Sequence, residues 1–144
     1  MKKFEEYLQE STVISVSPNP ERAKSLVAES ERRMSSLQER LKKIGVHENN
    51  ANDYVEYCYD MIMHLIRAKL YLEGYSTTGQ GAHEAEVSYL RKLDIKESEV
   101  LFMDQLRYYR NRILYYGKIL DEEYAQKVIE FTQRIVPLLK KIIK

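Results

Sequence analysis

The stretch YVEYCYDMIMHLIRAKLYLEG, residues 54–74, decides how this chain folds. It contains no proline and no glycine before Gly74, and at 100° per residue its apolar side chains cover most of a helical wheel. Only a narrow polar strip is left, formed by Glu56, Asp60, His64, Arg67 and Tyr71. An apolar arc this wide predicts a helix over 54–73 that is covered on two sides, either at the centre of a bundle or shared with a partner chain.

Helix signals continue on both sides of this segment. Asn19-Pro20 fits a helix start and Gly45 fits a stop, so a helix is predicted over 20–44. On the other side, the glycine-rich stretch YSTTGQG at 75–81 is expected to be a connector. A short helix is expected to follow it over 82–93, because apolar residues recur there at helical spacing.

Two longer helices are predicted in the remaining part of the chain. Asp94 with Glu97 resembles a capping box, which would open a helix over 95–116. The acids at 121–123 suit the start of a last helix, whose lysine-rich end suits its carboxyl terminus. Pro137 is expected to kink that helix, because proline removes one backbone hydrogen bond.

The amino-terminal residues are harder to interpret. Residues 1–17 hold a charged first decade and then STVISVS, in which β-branched residues alternate without an obvious strand partner nearby. We therefore expect a short extended arm over 1–17. The fold class predicted for 18–144 is all-α, an up-and-down antiparallel bundle of about five helices.

Composition narrows the classes of function. The 144 residues include only five glycines, three prolines and one cysteine, and the formal net charge is +1. The start MKKFEEYLQE lacks the apolar core of a secretion signal, and no run reaches the roughly 20 apolar residues needed to cross a bilayer. Zinc-type cysteine pairs, phosphate loops and serine elbows are absent from the sequence. We expect a cytoplasmic protein with no membrane partner, no metal and no cofactor.

The most informative stretch for function is LRYYRNRILYYGK, residues 106–118. Between 105 and 120 it carries four basic residues and no acid; they are Arg107, Arg110, Arg112 and Lys118. Four tyrosines lie between these cations, a combination that suits base stacking and phosphate contacts. Arg110 projects within the apolar arc of the predicted helix. Because a buried guanidinium is costly unless paired, Arg110 must meet a carboxylate such as Asp60 or Glu84, line a wet cleft, or lie at a subunit interface.

Three segments of the chain together resemble the HEPN domain family, named for higher eukaryotes and prokaryotes nucleotide-binding. They are NDYVEYCYDMIMHLIRAKLYLEGY, GQGAHE and LRYYRNRILYYG. The last one is similar to the family's signature, an arginine, a polar residue and then a histidine five positions after the arginine. The resemblance implies a helical homodimer whose two motifs face one another across a cleft and act as a metal-independent ribonuclease.

The resemblance assigns the site residue by residue. Arg110 takes the arginine position and Asn111 the polar one, while Tyr115 stands where the histidine is expected. Tyrosine, with an ordinary pKa near 10, is a poorer base at neutral pH than histidine, near 6.5, so we expect weak or absent ribonuclease activity. The expected RNA or nucleotide contacts are Arg107, Arg112, Tyr116 and Lys118. The expected supporting residues are Asp60, His64 and His83.

Two functions from different classes remain open at this point. In the first, the protein binds RNA or a nucleotide at a basic, tyrosine-rich dimer cleft, as a toxin-like component paired with a minimal nucleotidyltransferase. In the second, it is a non-catalytic helical module for dimerisation or interaction, in which Arg110 serves only as an interface ion pair. Arg110 separates the two, because only the first needs its charge for a ligand.

Overall fold

Six α-helices and two short strands make up the structure, a computed structural model that describes residues 1–144. In chain order they are α1 (Phe4–Gln9), β1 (Val13–Ser15), α2 (Pro20–Lys43), α3 (Ala51–Glu73), β2 (Tyr75–Thr77), α4 (Ala82–Ser88), α5 (Glu97–Tyr116) and α6 (Glu122–Ile143). A 3₁₀ turn (Tyr89–Leu93) continues α4. The predicted all-α helical bundle is confirmed.

Helix α3 is the centre of this bundle. It packs against α2 and α6 and also contacts α5 and α4. Twelve of its 23 residues are buried, among them Tyr59, Met61 and Ile66. The prediction of a helix covered on two sides is confirmed, and both sides are covered by elements of this same chain.

The ends of the long helices follow their capping residues. The Asn19 side chain accepts a hydrogen bond from the backbone N–H of Arg22 at 3.0 Å, and Asp121 accepts one from Tyr124 at 2.8 Å. Helix α6 continues across Pro137 to Ile143. These boundaries match the predicted ones because each is set by local side-chain chemistry.

The predicted capping box at the start of α5 is wrong. Asp94 adopts a left-handed conformation with φ of 58°, and the helix begins at Glu97 after Lys96, whose side chain makes no capping hydrogen bond. Asp94 instead ends the preceding 3₁₀ turn, a position where a left-handed residue is common. The single helix predicted over 82–93 is accordingly divided into α4 and that turn.

The amino-terminal segment is folded, so the prediction of an extended arm is wrong for most of it. Residues 4–9 form α1, which buries Phe4 and Tyr7. Strand β1 pairs antiparallel with β2, with Val13 opposite Thr77 and Ser15 opposite Tyr75. The expected connector therefore begins with a strand, and its partner lies about sixty residues earlier in the chain.

A close approach of backbones fixes this strand pair to the end of α3. Gly74 has φ of +83°, and a Cβ added there would lie 2.9 Å from the carbonyl oxygen of Val16. The Val16 N–H donates to the Gly74 carbonyl at 2.8 Å. Glycine is needed here both for the left-handed backbone and for the lack of space. No helix of the structure is long and apolar enough to span a bilayer.

Candidate functional site

A cleft of about 560 Å³ lies between α4 and α5, and we call it the arginine cleft. It is lined by the loop 79–81, by Ala82, His83 and Glu84 of α4, and by Arg107, Arg110, Asn111 and Tyr115 of α5. Arg107, Asn111 and Tyr115 are spaced four positions apart and Arg110 lies three after Arg107, so the four residues share one side of the helix. All three predicted catalytic residues, with the predicted contact Arg107, therefore line one cleft.

Arg110 is largely buried but poorly paired. Its side chain is 19% exposed, and its Nη2 lies 3.6 Å from Asp60 Oδ1, which is too long for a hydrogen bond. Its Nε is buried with no hydrogen-bond partner, and its guanidinium lies 5.1 Å from the centre of the Tyr59 ring. The expected partner Asp60 is thus present, but it is 38% exposed and also faces Arg33 at 3.7 Å. Arg110 keeps unused donors and a positive charge beside the cleft.

Arg107 is better neutralised than Arg110. Its Nε donates to Asp104 Oδ1 at 2.9 Å, and its Nη2 lies 3.5 Å from Glu84 Oε2. The other oxygen of Glu84 accepts a hydrogen bond from the Tyr7 hydroxyl. Burial and this carboxylate together raise the pKa of Tyr7 to about 12, so the hydroxyl stays protonated. Glu84 brings negative charge to one wall of the cleft, which leaves Arg110 as its least neutralised cation.

A partly buried polar network adjoins the cleft and includes His83, which lines it. Arg67 donates to Glu86 Oε2 at 2.6 Å and to His83 Nε2 at 3.2 Å, and His83 Nδ1 lies 3.2 Å from the Tyr59 hydroxyl. Because arginine only donates, Nε2 must accept, so the imidazole is neutral with its proton on Nδ1. Burial lowers the pKa of His83, and the charges of Arg67 and Arg110 lower it further, which favours this neutral form.

Sequence reasoning missed Glu86, the acid of this network. Arg67 was placed on a polar strip with Asp60 and His64, but it pairs instead with a carboxylate that is 3% exposed and nineteen positions away. Neighbouring apolar residues Ala85 and Val87 give no sign of a buried acid. One usable signal was its position four residues after Ala82 and four before Leu90, which places it on an inward face of α4.

The other predicted site residues lie outside the arginine cleft. Arg112 rests on the rings of Tyr108 and Tyr116, at 5.5 and 5.2 Å from their centres. The backbone carbonyl of Lys118 accepts a hydrogen bond from Asn52 at 2.9 Å. His64 bonds the Asp60 carbonyl at 2.5 Å through Nδ1 and does not line the cleft, so it is not a member of the site.

Large apolar side chains are exposed around the carboxyl end of α5, next to the arginine cleft. They are Tyr108, Leu114, Tyr115, Tyr116 and Ile119. Tyr115 is 75% exposed and also lines the cleft, so it joins this apolar surface to the polar site. Exposed apolar area of this kind marks surfaces that meet a ligand or a partner.

No family model, no curated protein and no solved structure matches this chain. The chemistry of the site therefore rests on the residues that line it. The cleft offers guanidinium donors from Arg110 and Arg107 and an amide from Asn111, next to an exposed aromatic ring. Such a set can hold an anionic oxygen cluster and stack a planar ring.

Proposed function

We propose that this chain is a HEPN-type domain that binds RNA, with one phosphate of the RNA held in the arginine cleft. The observation that carries the proposal is the state of Arg110. A guanidinium that is mostly buried, lacks a hydrogen bond at Nε and has no acid closer than 3.6 Å is costly to the fold. A phosphate in the cleft would supply the missing negative charge and would accept hydrogen bonds from the terminal nitrogens of the guanidinium.

The other cleft residues fit this ligand. Asn111 can donate its amide to a phosphate oxygen, and Arg107 adds a second guanidinium once its contact with Glu84 loosens. Tyr115, exposed at the mouth of the cleft, can stack on a base. Arg112, Tyr116 and Lys118 lie further along α5 and beyond it, where they can contact the continuing strand. Binding of this kind depends on salt, since it releases counterions from the RNA.

Turnover is expected to be weak, because no general base is ready in the cleft. Tyr115 occupies the position that the family's histidine would take, and a phenol is a poorer general base than an imidazole. His83 lines the same cleft as a neutral imidazole, but Arg67 and Tyr59 occupy both of its ring nitrogens. His83 could accept a proton only after its hydrogen bond with Arg67 breaks.

A homodimer is part of the proposal. The exposed apolar residues at the end of α5 adjoin Tyr115, so a second copy packed there would bring two arginine cleft sites together. A minimal nucleotidyltransferase is the protein partner that the family resemblance implies. If the same surface only holds two chains together, the protein is a dimerisation module without a ligand.

Binding and cleavage of labelled RNA in the presence of EDTA test the proposal. The wild-type chain is compared with Arg110→Ala and with Arg134→Ala, which removes an exposed arginine that pairs with Glu99 and does not line the arginine cleft. We expect salt-sensitive binding that Arg110→Ala strongly weakens and Arg134→Ala preserves, with little cleavage. If RNA does not bind and Arg110→Ala changes only the mass of the assembly, the dimerisation module is the correct function.

A further inference from the structure

A second pocket of about 400 Å³ lies directly beside the arginine cleft, between the end of α3, β2 and α4. We call it the tyrosine pocket; its lining includes Arg67, Tyr71, Tyr75, Thr77, His83 and Glu86. Its volume is within the range of sites for small organic ligands, about 300 to 1,000 Å³. Gly79, Ala82 and His83 line both cavities, so a ligand that is longer than one nucleotide unit can enter both.

The lining combines flat rings with paired polar groups. Tyr75 is held by edge contacts with Phe4 and Tyr89, at ring distances of 5.3 and 6.4 Å, so its ring is fixed before any ligand arrives. Arg67, which only donates, and Glu86, which only accepts, are joined at 2.6 Å. Because both Glu86 oxygens accept from Arg67, at 2.6 and 3.2 Å, this pair is fixed in place and forms a rigid polar wall of the pocket.

The charge of the pocket decides between the parts of a nucleotide. The Glu86 carboxylate is almost completely buried and is neutralised by Arg67 alone, so a phosphate placed here would meet a negative group in a poorly solvated site. The rings of Tyr71 and Tyr75 favour an uncharged aromatic group. The hydroxyl groups of Ser76 and Thr77, which also line the pocket, suit the ribose.

We propose that the tyrosine pocket binds the nucleobase next to the phosphate held in the arginine cleft, an inference that rests on the proposed function. The two cavities would then hold one phosphate and one adjoining base of the same RNA strand, with the His83 ring between them. Recognition of a splayed, stacked base is a common way to bind single-stranded RNA. The ligand class is therefore single-stranded RNA rather than a duplex.

Two dinucleotide probes test this inference by calorimetry. One carries a single 2-aminopurine and one abasic ribose, used in both orders, and the other carries two abasic riboses on the same phosphodiester. We expect the base to strengthen binding, and Tyr71→Leu to remove roughly 5- to 150-fold of affinity for the base-containing probe alone. Tyr71→Phe should bind normally. Because the chain has no tryptophan, quenching of 2-aminopurine fluorescence reports the stacking directly.

Matched controls separate the outcomes. Tyr57→Leu changes another half-buried tyrosine of α3, whose ring lies under arginines as the Tyr71 ring lies under Arg22 at 5.7 Å, and should leave both probes unaffected. Equal binding of both probes, or loss of the base effect in Tyr115→Ala instead of Tyr71→Leu, overturns the inference while RNA binding stands. Failure of both probes and of longer RNA to bind overturns the proposed function itself.

A measurement on the unmodified protein guards against a variant that fails to fold. Backbone amide signals of residues 75–79 should shift when the base-containing probe is added and stay in place with the doubly abasic probe. Shifts at Arg110 and Asn111 should occur with both probes. Shifts confined to the α5 residues with the base-containing probe contradict the inference.

Discussion

Replacing Arg110 with methionine should stabilise the protein while it strongly weakens RNA binding. Methionine keeps an unbranched chain of similar length and fills irregular space, so the α5 face stays packed. The substitution removes a buried Nε with no hydrogen-bond partner, and such an unsatisfied donor costs about 1 to 3 kcal/mol. Asp60 is left without Arg110, but it is partly exposed and still faces Arg33.

The opposing losses are smaller. The contact of Arg110 with the Tyr59 ring is worth about 0.5 to 1 kcal/mol, and a loose pair such as that with Asp60 contributes about 0 to 1 kcal/mol. We therefore expect Arg110→Met to raise the free energy of unfolding by about 1 kcal/mol. For a chain of this length that corresponds to a Tm increase of about 4 °C.

Urea unfolding followed by circular dichroism measures this effect, and Arg67→Met is its matched control. Arg67 carries the same chemical group, but its removal leaves Glu86 buried without its cation, which should cost about 3 to 5 kcal/mol. The two substitutions are thus expected to change the free energy of unfolding in opposite directions. A loss of 2 kcal/mol or more in Arg110→Met would refute the reasoning, since Arg110 would then be a structural residue.

Three further predictions follow from other features of the chain. Tyr115→His places an exposed imidazole at the family's histidine position and should increase RNA cleavage by about 100- to 10,000-fold, whereas unchanged cleavage in EDTA would count against the HEPN resemblance. Burial lowers the pKa of His64 and of His83 in the folded chain. The unfolded chain therefore binds protons at a higher pH than the folded chain does, and the free energy of unfolding should fall as pH drops from 7 to 5.5. A constant Tm over that range would contradict this. Gly74→Ala should destabilise the fold by more than 1 kcal/mol in urea titrations, because the new Cβ meets the Val16 carbonyl at 2.9 Å, and a neutral result would disprove that contact.

The helical part of the fold could be predicted because its signals are local. Asn19 caps α2 within three residues, and the apolar arc of 54–73 shows that α3 is covered on two sides. The pairing of β1 with β2 could not be predicted in this way. Each strand has three residues, and the partners are separated by about sixty positions, so neither strand has a sequence pattern that would identify its partner.

The candidate site likewise has a part that local spacing predicts and a part that depends on tertiary packing. Helical spacing alone places four residues on one side of α5, so their grouping could be predicted from the sequence; they are Arg107, Arg110, Asn111 and Tyr115. The hydrogen bonds of His83 with Tyr59 and Arg67 join α4 to α3, and they depend on tertiary packing. Arg112 lies outside the cleft lining and stacks on Tyr108 and Tyr116, one helical turn before and after it on α5.

The most direct test of the account is the salt dependence of RNA binding by the wild-type chain and by Arg110→Met. We expect the wild type to bind single-stranded RNA with log K falling as log salt rises, by about 0.7 for each phosphate neutralised. Arg110→Met should be at least as stable as the wild type but should bind RNA far more weakly. The magnitude of its slope should be smaller by about 0.7, the value for one phosphate. Equal affinities and equal slopes for the two proteins would contradict the claim that Arg110 holds a phosphate.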